Sequence, residues 1–170
     1  RLRLDASNAL SNFQSDGVDI AIRQGNPPFG PGLLAEQLFP SDLIAVCHPS
    51  LQAGPNPMRS PQDLQYHVLL EDTHGQWPLF LEKLLDGKPL TDIKTIKFSQ
   101  TSLAIDAAIA RQGVALAHPA FVEEDLKAQR LCQPFAFSTA MANGHYVVSP
   151  REPRNAAVVA TLRKWLLAQA

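Results

Sequence analysis

The sequence predicts an α/β fold built as two lobes of similar construction. Apolar residues recur with helical spacing in some segments and form short continuous runs in others, so helices and strands alternate along the chain. Two segments also share one plan: RLDASNALSNFQSDGVDIAI near the start and IKFSQTSLAIDAAIARQGVALA in the second half. Each reads as a strand, a hydroxyl-rich turn, a helix, a glycine and a strand, and two such βαβ units indicate two lobes.

The first unit begins at the start of the chain. Residues 1–5 alternate polar and apolar side chains, which predicts a half-buried strand. Residues 7–17 predict a helix, because Ser and Asn are good N-caps, Leu10 and Phe13 share one helical face and Gly17 ends the pattern. The apolar run at 18–22 predicts the second strand.

The middle of the chain alternates loops and short strands. The runs at 26–32 and 53–61 are rich in Pro and Gly and predict loops. Two strand-like stretches lie within 33–49, and His67–Glu71 predicts another short strand. Apolar side chains at 77, 80, 81, 84 and 85 then predict a one-faced helix that stops at Gly87.

The second βαβ unit and the chain end complete the pattern. A strand is predicted at 95–98, a helix over LAIDAAIA, and a strand at 114–117 that follows Gly113. Pro119 fits the first turn of a further helix. Strands are predicted at 131–137 and 146–149, and the closing helix presents on one face Val158, Leu162, Trp165 and Leu166.

Composition excludes some classes of function. Fifteen Lys and Arg side chains are balanced by sixteen Asp and Glu, for a net charge of −1. The cations are scattered, and the densest short cluster is Arg151 and Arg154. Nucleic-acid binding needs clustered cations, so we expect that this chain does not hold DNA by itself. No apolar run has the length of a membrane-spanning helix, and we expect no membrane partner.

Several pieces of the chain resemble one protein family in their order and spacing. They are DGVDIAIRQG, PGLLAEQLF, LIAVCHPSL, SPQDLQYHVLL, FSQTSLAIDAAIARQGVALAHPAFVEEDL, RLCQPF, HYVVSP and LRKWLL. Together they resemble the regulatory domain of LysR-type bacterial transcription regulators, in the branch of glycine-cleavage activators and β-lactamase regulators. The resemblance covers essentially the whole chain.

The resemblance implies a two-lobed α/β fold like that of type II periplasmic binding proteins, with two crossover strands and an effector cleft between the lobes. Lobe I would comprise 1–45 plus 150–170, and lobe II would comprise 46–149. It also implies a winged helix-turn-helix and a linker helix outside this chain, a homodimer or homotetramer in the full-length protein, and a cytoplasmic location. Lobe I would open with a further strand and helix before RLRLD, so we expect the isolated chain to self-associate or to be marginally stable there.

The turn Ser99-Gln100-Thr101-Ser102 is the strongest candidate binding site. One N-cap needs one such side chain, and here three hydroxyls and an amide stand at a predicted helix N-terminus. The resemblance implies that this turn contacts effector. Helix N-termini favour anions, so we expect a small polar effector that bears a carboxylate.

Weaker candidates have ordinary structural alternatives. Ser7 and Asn8 could both line the cleft, although a plain N-cap explains one of them. Arg23 ends a strand and could reach effector or solvent. His118 could be an N-cap or a cleft residue, and Tyr146 could reach the effector or fill a core or interface position.

Enzymatic and cofactor functions are not indicated. No ligand spacing for zinc joins His48, His67, His74, His118 and His145. No GxSxG elbow is present, and the glycines of GPG lie in a loop without the strand and helix of a dinucleotide site. Cys47 and Cys132 lie in apolar stretches and are expected to be buried reduced thiols.

Two function classes remain. The first is the effector-sensing domain of a LysR-type regulator, with no cofactor, no metal and no enzymatic activity. The alternative is a free-standing solute-binding protein of a transport system with the same fold. The family-specific pieces favour the first, and thiols that look reduced suit a cytoplasmic protein.

Overall fold

The structure is a computed structural model that describes residues 2–7 and 9–169. The chain divides into two compact units, and unit 1 is Arg1–Ser41 with Ala142–Ala170. Unit 2 is the intervening Asp42–Met141. The lobe boundaries predicted from the sequence lie four residues further along the chain at the first boundary and eight at the second.

The described residues contain six strands, four α-helices and two short 3₁₀ helices. The strands are β1 (Ala21–Gly25), β2 (Leu33–Cys47), β3 (Val68–Glu71), β4 (Lys94–Lys97), β5 (Val114–Ala117) and β6 (Ser138–Pro150). The α-helices are α1 (Trp77–Leu84), α2 (Thr101–Ile109), α3 (Pro119–Lys127) and α4 (Ala156–Leu167), and the 3₁₀ helices are Pro49–Gln52 and Pro61–Tyr66. The hydrogen-bonded order is β1-β6-β2-β5-β3-β4. β2 and β6 each run from one unit into the other, as two crossover strands should.

The sheet of unit 2 is mixed. β5 lies between β2, to which it is antiparallel, and β3, to which it is parallel. β4 is parallel to β3, with Leu70 opposite Ile96. All four residues of β5 are buried, as expected for a central strand that is covered on both faces.

The core of unit 2 has two sides because side chains alternate along each strand. On one side, Cys47 and Val114 pack with Phe80 of α1. On the other side, Val46 and Ala115 pack against the small residues of α2. The second βαβ prediction, a strand, helix and strand that became β4, α2 and β5, is confirmed.

α1 forms as predicted and is fixed by aromatic contacts. Trp77 is buried, and its indole N–H donates to the Leu70 carbonyl at 3.0 Å. Phe80 packs edge-on against both Trp77 and Phe137, with ring centroids 5.7 and 5.3 Å apart. Beyond the helix, Gly87 adopts a φ of 74° and its N–H bonds the Glu82 carbonyl, so it is the predicted stop.

The first predicted βαβ unit is wrong. Residues 2–5 form no strand, 9–17 form no helix, and the strand predicted at 18–22 is β1, which begins at Ala21. Asn12 accepts hydrogen bonds from the backbone N–H groups of Gln14 and Ser15, and Asp16 accepts one from the N–H of Asn12. These short polar side chains bond the backbone in a local turn, and such bonds compete with a helix.

Other sequence expectations need smaller corrections. The two strand-like stretches of 33–49 form the single strand β2. The strand predicted at 131–137 is reduced to one isolated antiparallel bridge between Cys132 and Cys47. α4 buries Val159 at 4% exposure, whereas Val158 and Trp165 of the predicted face are 65% and 57% exposed.

Unit 1 pairs β1 with β6 in antiparallel register and places Arg23 opposite Tyr146. α4 is tied to β2 by an ion pair between Arg163 and Glu36, whose N and O atoms lie 3.1 Å apart. The self-association expected for this lobe stays a prediction. Within the described part of the chain, no helix is long and apolar enough to cross a membrane.

Candidate functional site

Three parallel strands of unit 2 end at one edge of its sheet, and polar residues follow each of them. Asp72 comes directly after β3, Ser99 lies two residues beyond β4, and His118 comes directly after β5. α2 and α3 begin at this same edge. Helix N-termini at the carboxyl ends of parallel strands are where α/β proteins bind ligands.

Asp72 is the centre of a hydrogen-bond cluster at this edge. Its carboxylate accepts the Thr101 hydroxyl at the start of α2. It also accepts the backbone N–H of His74 at 3.0 Å and lies 2.9 Å from the His74 ring Nδ1. The Asp72 side chain is only 13% exposed, so its carboxylate is largely shielded from water, whereas the His74 side chain is 42% exposed.

Each titratable group of the cluster favours the charged form of the other. Burial raises the pKa of Asp72, but the hydrogen bonds from His74 and Thr101 outweigh it, and the pKa lies below the ordinary value. The hydrogen bond to Asp72 raises the pKa of His74. The edge therefore carries a persistent carboxylate with a histidine partner.

The N-terminus of α2 carries several exposed polar side chains. Gln100 occupies the N-cap position with extended backbone, and its side chain makes no capping hydrogen bond. Thr101 uses its hydroxyl on Asp72. Ser99, Gln100 and Ser102 are all exposed. The predicted turn therefore presents polar side chains at the surface, beside the start of a helix.

His118 has the capping role that was one of its two predicted alternatives. Its ring Nδ1 accepts the backbone N–H of Ala120 at 3.1 Å, and the residue is 7% exposed. The ring also packs near Phe121, with centroids 5.6 Å apart. Its contact with an effector stays a prediction.

The candidates of unit 1 have local partners. The exposed Ser7 accepts the backbone N–H of Ala9 at 3.0 Å, whereas Asn8 lies outside the described residues. Arg23 donates to the Ser11 carbonyl at 2.5 Å and stacks 4.8 Å above the ring centroid of Phe13. Tyr146, its partner across the strands, packs on Phe29 at 5.3 Å between ring centroids.

Arg23 and Tyr146 are thus brought together. The structure adds two residues to the candidate site that the sequence predictions omitted, Asp72 and His74. The sequence could have indicated both residues, because they follow the predicted strand His67–Glu71 at its carboxyl end, where α/β proteins bind ligands. In the described ranges, no group of three or more His, Cys, Asp or Glu side chains could hold a metal ion.

Comparison with known families decides the classification. The family model described as the LysR substrate binding domain matches residues 1–170, which is the whole chain. The chain belongs to this family. The resemblance found in the sequence pieces is thereby confirmed.

Relatives of this LysR substrate binding domain are named as transcription activators. The chain is 32% identical over 173 residues to the glycine cleavage system transcriptional activator of Escherichia coli K12, covering 99% of this chain and 55% of the relative. It is also 32% identical to the activator AmpR of Pseudomonas aeruginosa, covering 99% and 56%. The chain thus spans about half the length of these curated relatives.

Solved structures confirm the predicted fold class. The effector domain of AmpR from Pseudomonas aeruginosa matches with a TM-score of 0.80 and 28% identity, over 98% of this chain and 78% of that one. The effector binding domain of AmpR from Citrobacter freundii matches with a TM-score of 0.77 and 21% identity, over 95% and 79%. Both neighbours have the two-lobed periplasmic-binding-protein-like fold.

Proposed function

We propose that this chain is the effector-sensing domain of a LysR-type transcription regulator. The observation that carries the proposal is the family match over the whole chain, together with relatives named as transcription activators. Such a domain binds a small molecule and catalyses no reaction, so we propose a non-enzymatic role. Contact with DNA and assembly into a homodimer or homotetramer would belong to the full-length, cytoplasmic regulator.

We further propose that the effector bears a carboxylate and binds at the N-terminus of α2. The side chain of Gln100 makes no capping hydrogen bond at this helix start, and the N–H groups at a helix N-terminus favour anions. Ser99 and Ser102 supply hydroxyls on the same turn. These groups support recognition of an anionic group by several donors at once.

Asp72 adds a second requirement for the effector. A carboxylate whose pKa is lowered would repel an anion placed directly beside it, so the effector needs a donor group there, such as an ammonium or a hydroxyl. A small molecule that carries both a carboxylate and a donor satisfies the two neighbouring features. We also propose Ser7, Asn8, Arg23, His118 and Tyr146 as further effector contacts.

A thermal-shift screen of the chain against small carboxylates tests this proposal. We expect hits that also carry an amine or hydroxyl, and we expect the shift to disappear when the same compounds are supplied as carboxamides. Calorimetric titration of each hit into the Ser102→Ala variant should then show weaker binding. Equal affinity for acid and amide would contradict an anion site at α2.

A matched control separates the site from the rest of unit 2. Thr95 lies exposed on β4, away from the helix N-terminus, so Thr95→Val should leave the affinity of each hit unchanged. In unit 1, Arg23→Ala and Tyr146→Phe test the two paired candidates one at a time. Full affinity in both variants would remove them from the proposed contacts.

A further inference from the structure

The two cysteines of the chain meet in unit 2. They are 85 residues apart in sequence, yet their Sγ atoms lie 3.7 Å from each other. Cys47 is the last residue of β2, and Cys132 follows α3 and pairs with it in an isolated antiparallel bridge. Each backbone N–H donates to the other residue's carbonyl, at 3.0 and 2.8 Å.

This arrangement fits the geometry that a disulfide requires. Residues paired by two hydrogen bonds across antiparallel strands have Cα atoms about 5.5 Å apart. Disulfides join Cα atoms that are about 4.4–6.8 Å apart, with the sulfurs about 2.05 Å from each other. The Cβ atoms of such a hydrogen-bonded pair lie towards the upper end of about 4.5–5.5 Å, and a disulfide needs about 3.5–4.5 Å. Closing the bond therefore takes side-chain rotation and a small approach of the two backbone segments.

The two thiols differ in access and in acidity. Cys47 is fully buried beside Ala45 and Val114, whereas Cys132 is partly exposed at the margin of that cluster. The hydrogen bond between the two thiols lowers the pKa of Cys132. The same hydrogen bond raises the pKa of Cys47, and burial raises it further. Thiolates are the reactive form, so Cys132 is the thiol that meets an oxidant first.

We propose that Cys47 and Cys132 form a reversible oxidation site, in which a hydroperoxide such as hydrogen peroxide converts the two thiols into an intramolecular disulfide. The Cys132 thiolate attacks a peroxide oxygen, so an S–O bond forms, the O–O bond breaks and hydroxide leaves as water. The Cys47 thiol then attacks the Cys132 sulfur, an S–S bond forms and the S–O oxygen leaves as a second water.

The two steps together balance in atoms and in electrons. Two thiols are oxidised by two electrons in total, and one molecule of hydrogen peroxide is reduced to two molecules of water. A dithiol reductant returns both cysteines to thiols by exchange through a mixed disulfide. The disulfide ties the end of β2 to the segment after α3 and closes a long loop, so oxidation should stabilise unit 2 against unfolding.

Treatment of the purified chain with hydrogen peroxide tests the site. We expect intact-protein mass spectrometry to show the loss of two hydrogen atoms, free-thiol labelling to fall to zero, and dithiothreitol to reverse both changes. The midpoint of thermal unfolding should rise on oxidation and return on reduction. Two thiols that can still be labelled once the peroxide-treated chain is unfolded in denaturant, or a product linked between two chains, would overturn the proposal.

Single variants separate the two roles. In Cys47→Ser the resolving thiol is absent, so Cys132 should stop at sulfenic acid and be trapped by dimedone. In Cys132→Ser, dimedone should label nothing. The reverse pattern would overturn the assigned order. Thermal unfolding of the reduced variants checks their fold, and Cys47→Ala and Cys132→Ala give the same readout if a buried serine prevents folding.

Discussion

The hydroxyl of Thr101, the first residue of α2, donates a hydrogen bond to the carboxylate of Asp72, the residue that follows β3. This contact links the start of a helix to the end of a neighbouring strand. The Thr101 side chain is therefore used for a hydrogen bond within unit 2. The other polar residues of its turn, Ser99, Gln100 and Ser102, are exposed. Under the proposed function, Thr101 supports the structure and its exposed neighbours contact the effector.

Thr101→Val should lower the free energy of unfolding. Valine keeps the shape but removes the donor, so the largely shielded Asp72 carboxylate loses one hydrogen bond. We expect a loss of about 1–3 kcal/mol at neutral pH, measured by urea denaturation. Thr95→Val, the same chemical change on exposed β4, should stay within about 0.5 kcal/mol of the original chain. Equal stability of the two variants would refute the role of this contact.

The Asp72–His74 pair should make stability depend on pH in both directions. Because the pKa of Asp72 is lowered in the folded chain, its contribution is present above its ordinary value of 3.8 and is lost as pH falls through the folded pKa. Because the pKa of His74 is raised, its contribution is present below 6.5 and is lost as pH rises through the folded pKa.

Urea denaturation of the chain from about pH 3 to about pH 9 measures the loss of stability on the acid side (the acid limb) and on the alkaline side (the alkaline limb). The His74→Gln variant should lose most of the decline on the alkaline side and keep part of the acid limb, since the backbone N–H of His74 still binds Asp72. The Asp72→Asn variant should flatten both limbs. A pH profile of Asp72→Asn that matches the unmodified chain would show that the pair is not the cause.

Gly113→Ala should be strongly destabilising. A Cβ at this position would lie 2.2 Å from the Val68 carbonyl oxygen, which belongs to the backbone of β3 and cannot move without disturbing the β3–β5 pairing. We expect a cost of about 3 kcal/mol in unfolding free energy. Gly87→Ala, at a positive φ with open space around it, should cost about 1–2 kcal/mol. Similar values for both would contradict the close approach.

Hydrogen exchange should protect the two units unequally. β5 is buried and paired on both sides, whereas β1 stands at the end of the strand order and its Ile22 is 53% exposed. Amides of Val114–Leu116 should therefore exchange much more slowly than those of Ile20–Ile22. Equal, strong protection in a monomeric sample would refute the expectation of a marginally stable lobe I.

The chain should not retain duplex DNA in a gel-shift titration at low salt. With a net charge of −1 and scattered cations, it lacks the cluster of Lys and Arg that releases counterions from phosphates. Bovine serum albumin serves as the negative control and a known DNA-binding domain as the positive control. Retention at sub-micromolar concentrations of the chain would contradict this prediction.

The two βαβ predictions show what a local pattern can and cannot establish. Both segments carried the same order of apolar and hydroxyl residues, but only the second formed β4, α2 and β5. In that segment the small side chains of α2 pack directly against a buried sheet. In the first segment, Asn12 and Asp16 instead bond nearby backbone groups, and Leu10 stays 82% exposed. Tertiary packing therefore decided which pattern became structure.

The candidate site was only half predictable for a related reason. The turn at 99–102 was visible because hydroxyls cluster before an apolar helix. Asp72 and His74 become partners of that turn only once β3 and β4 lie in parallel register, and register is a long-range property. The contact between Cys47 and Cys132 was invisible for the same reason, since 85 residues separate them.

The burial of Trp77 has a practical consequence. The chain contains two tryptophans, one in each unit: Trp77 at 4% exposure and Trp165 at 57%. An indole in an apolar core emits at shorter wavelength than one in water, so the folded chain should give a composite fluorescence spectrum. A red shift that comes from Trp77 alone would report the unfolding of unit 2. The Trp165→Phe variant would isolate that signal, so the unfolding of unit 2 could be followed without a contribution from unit 1.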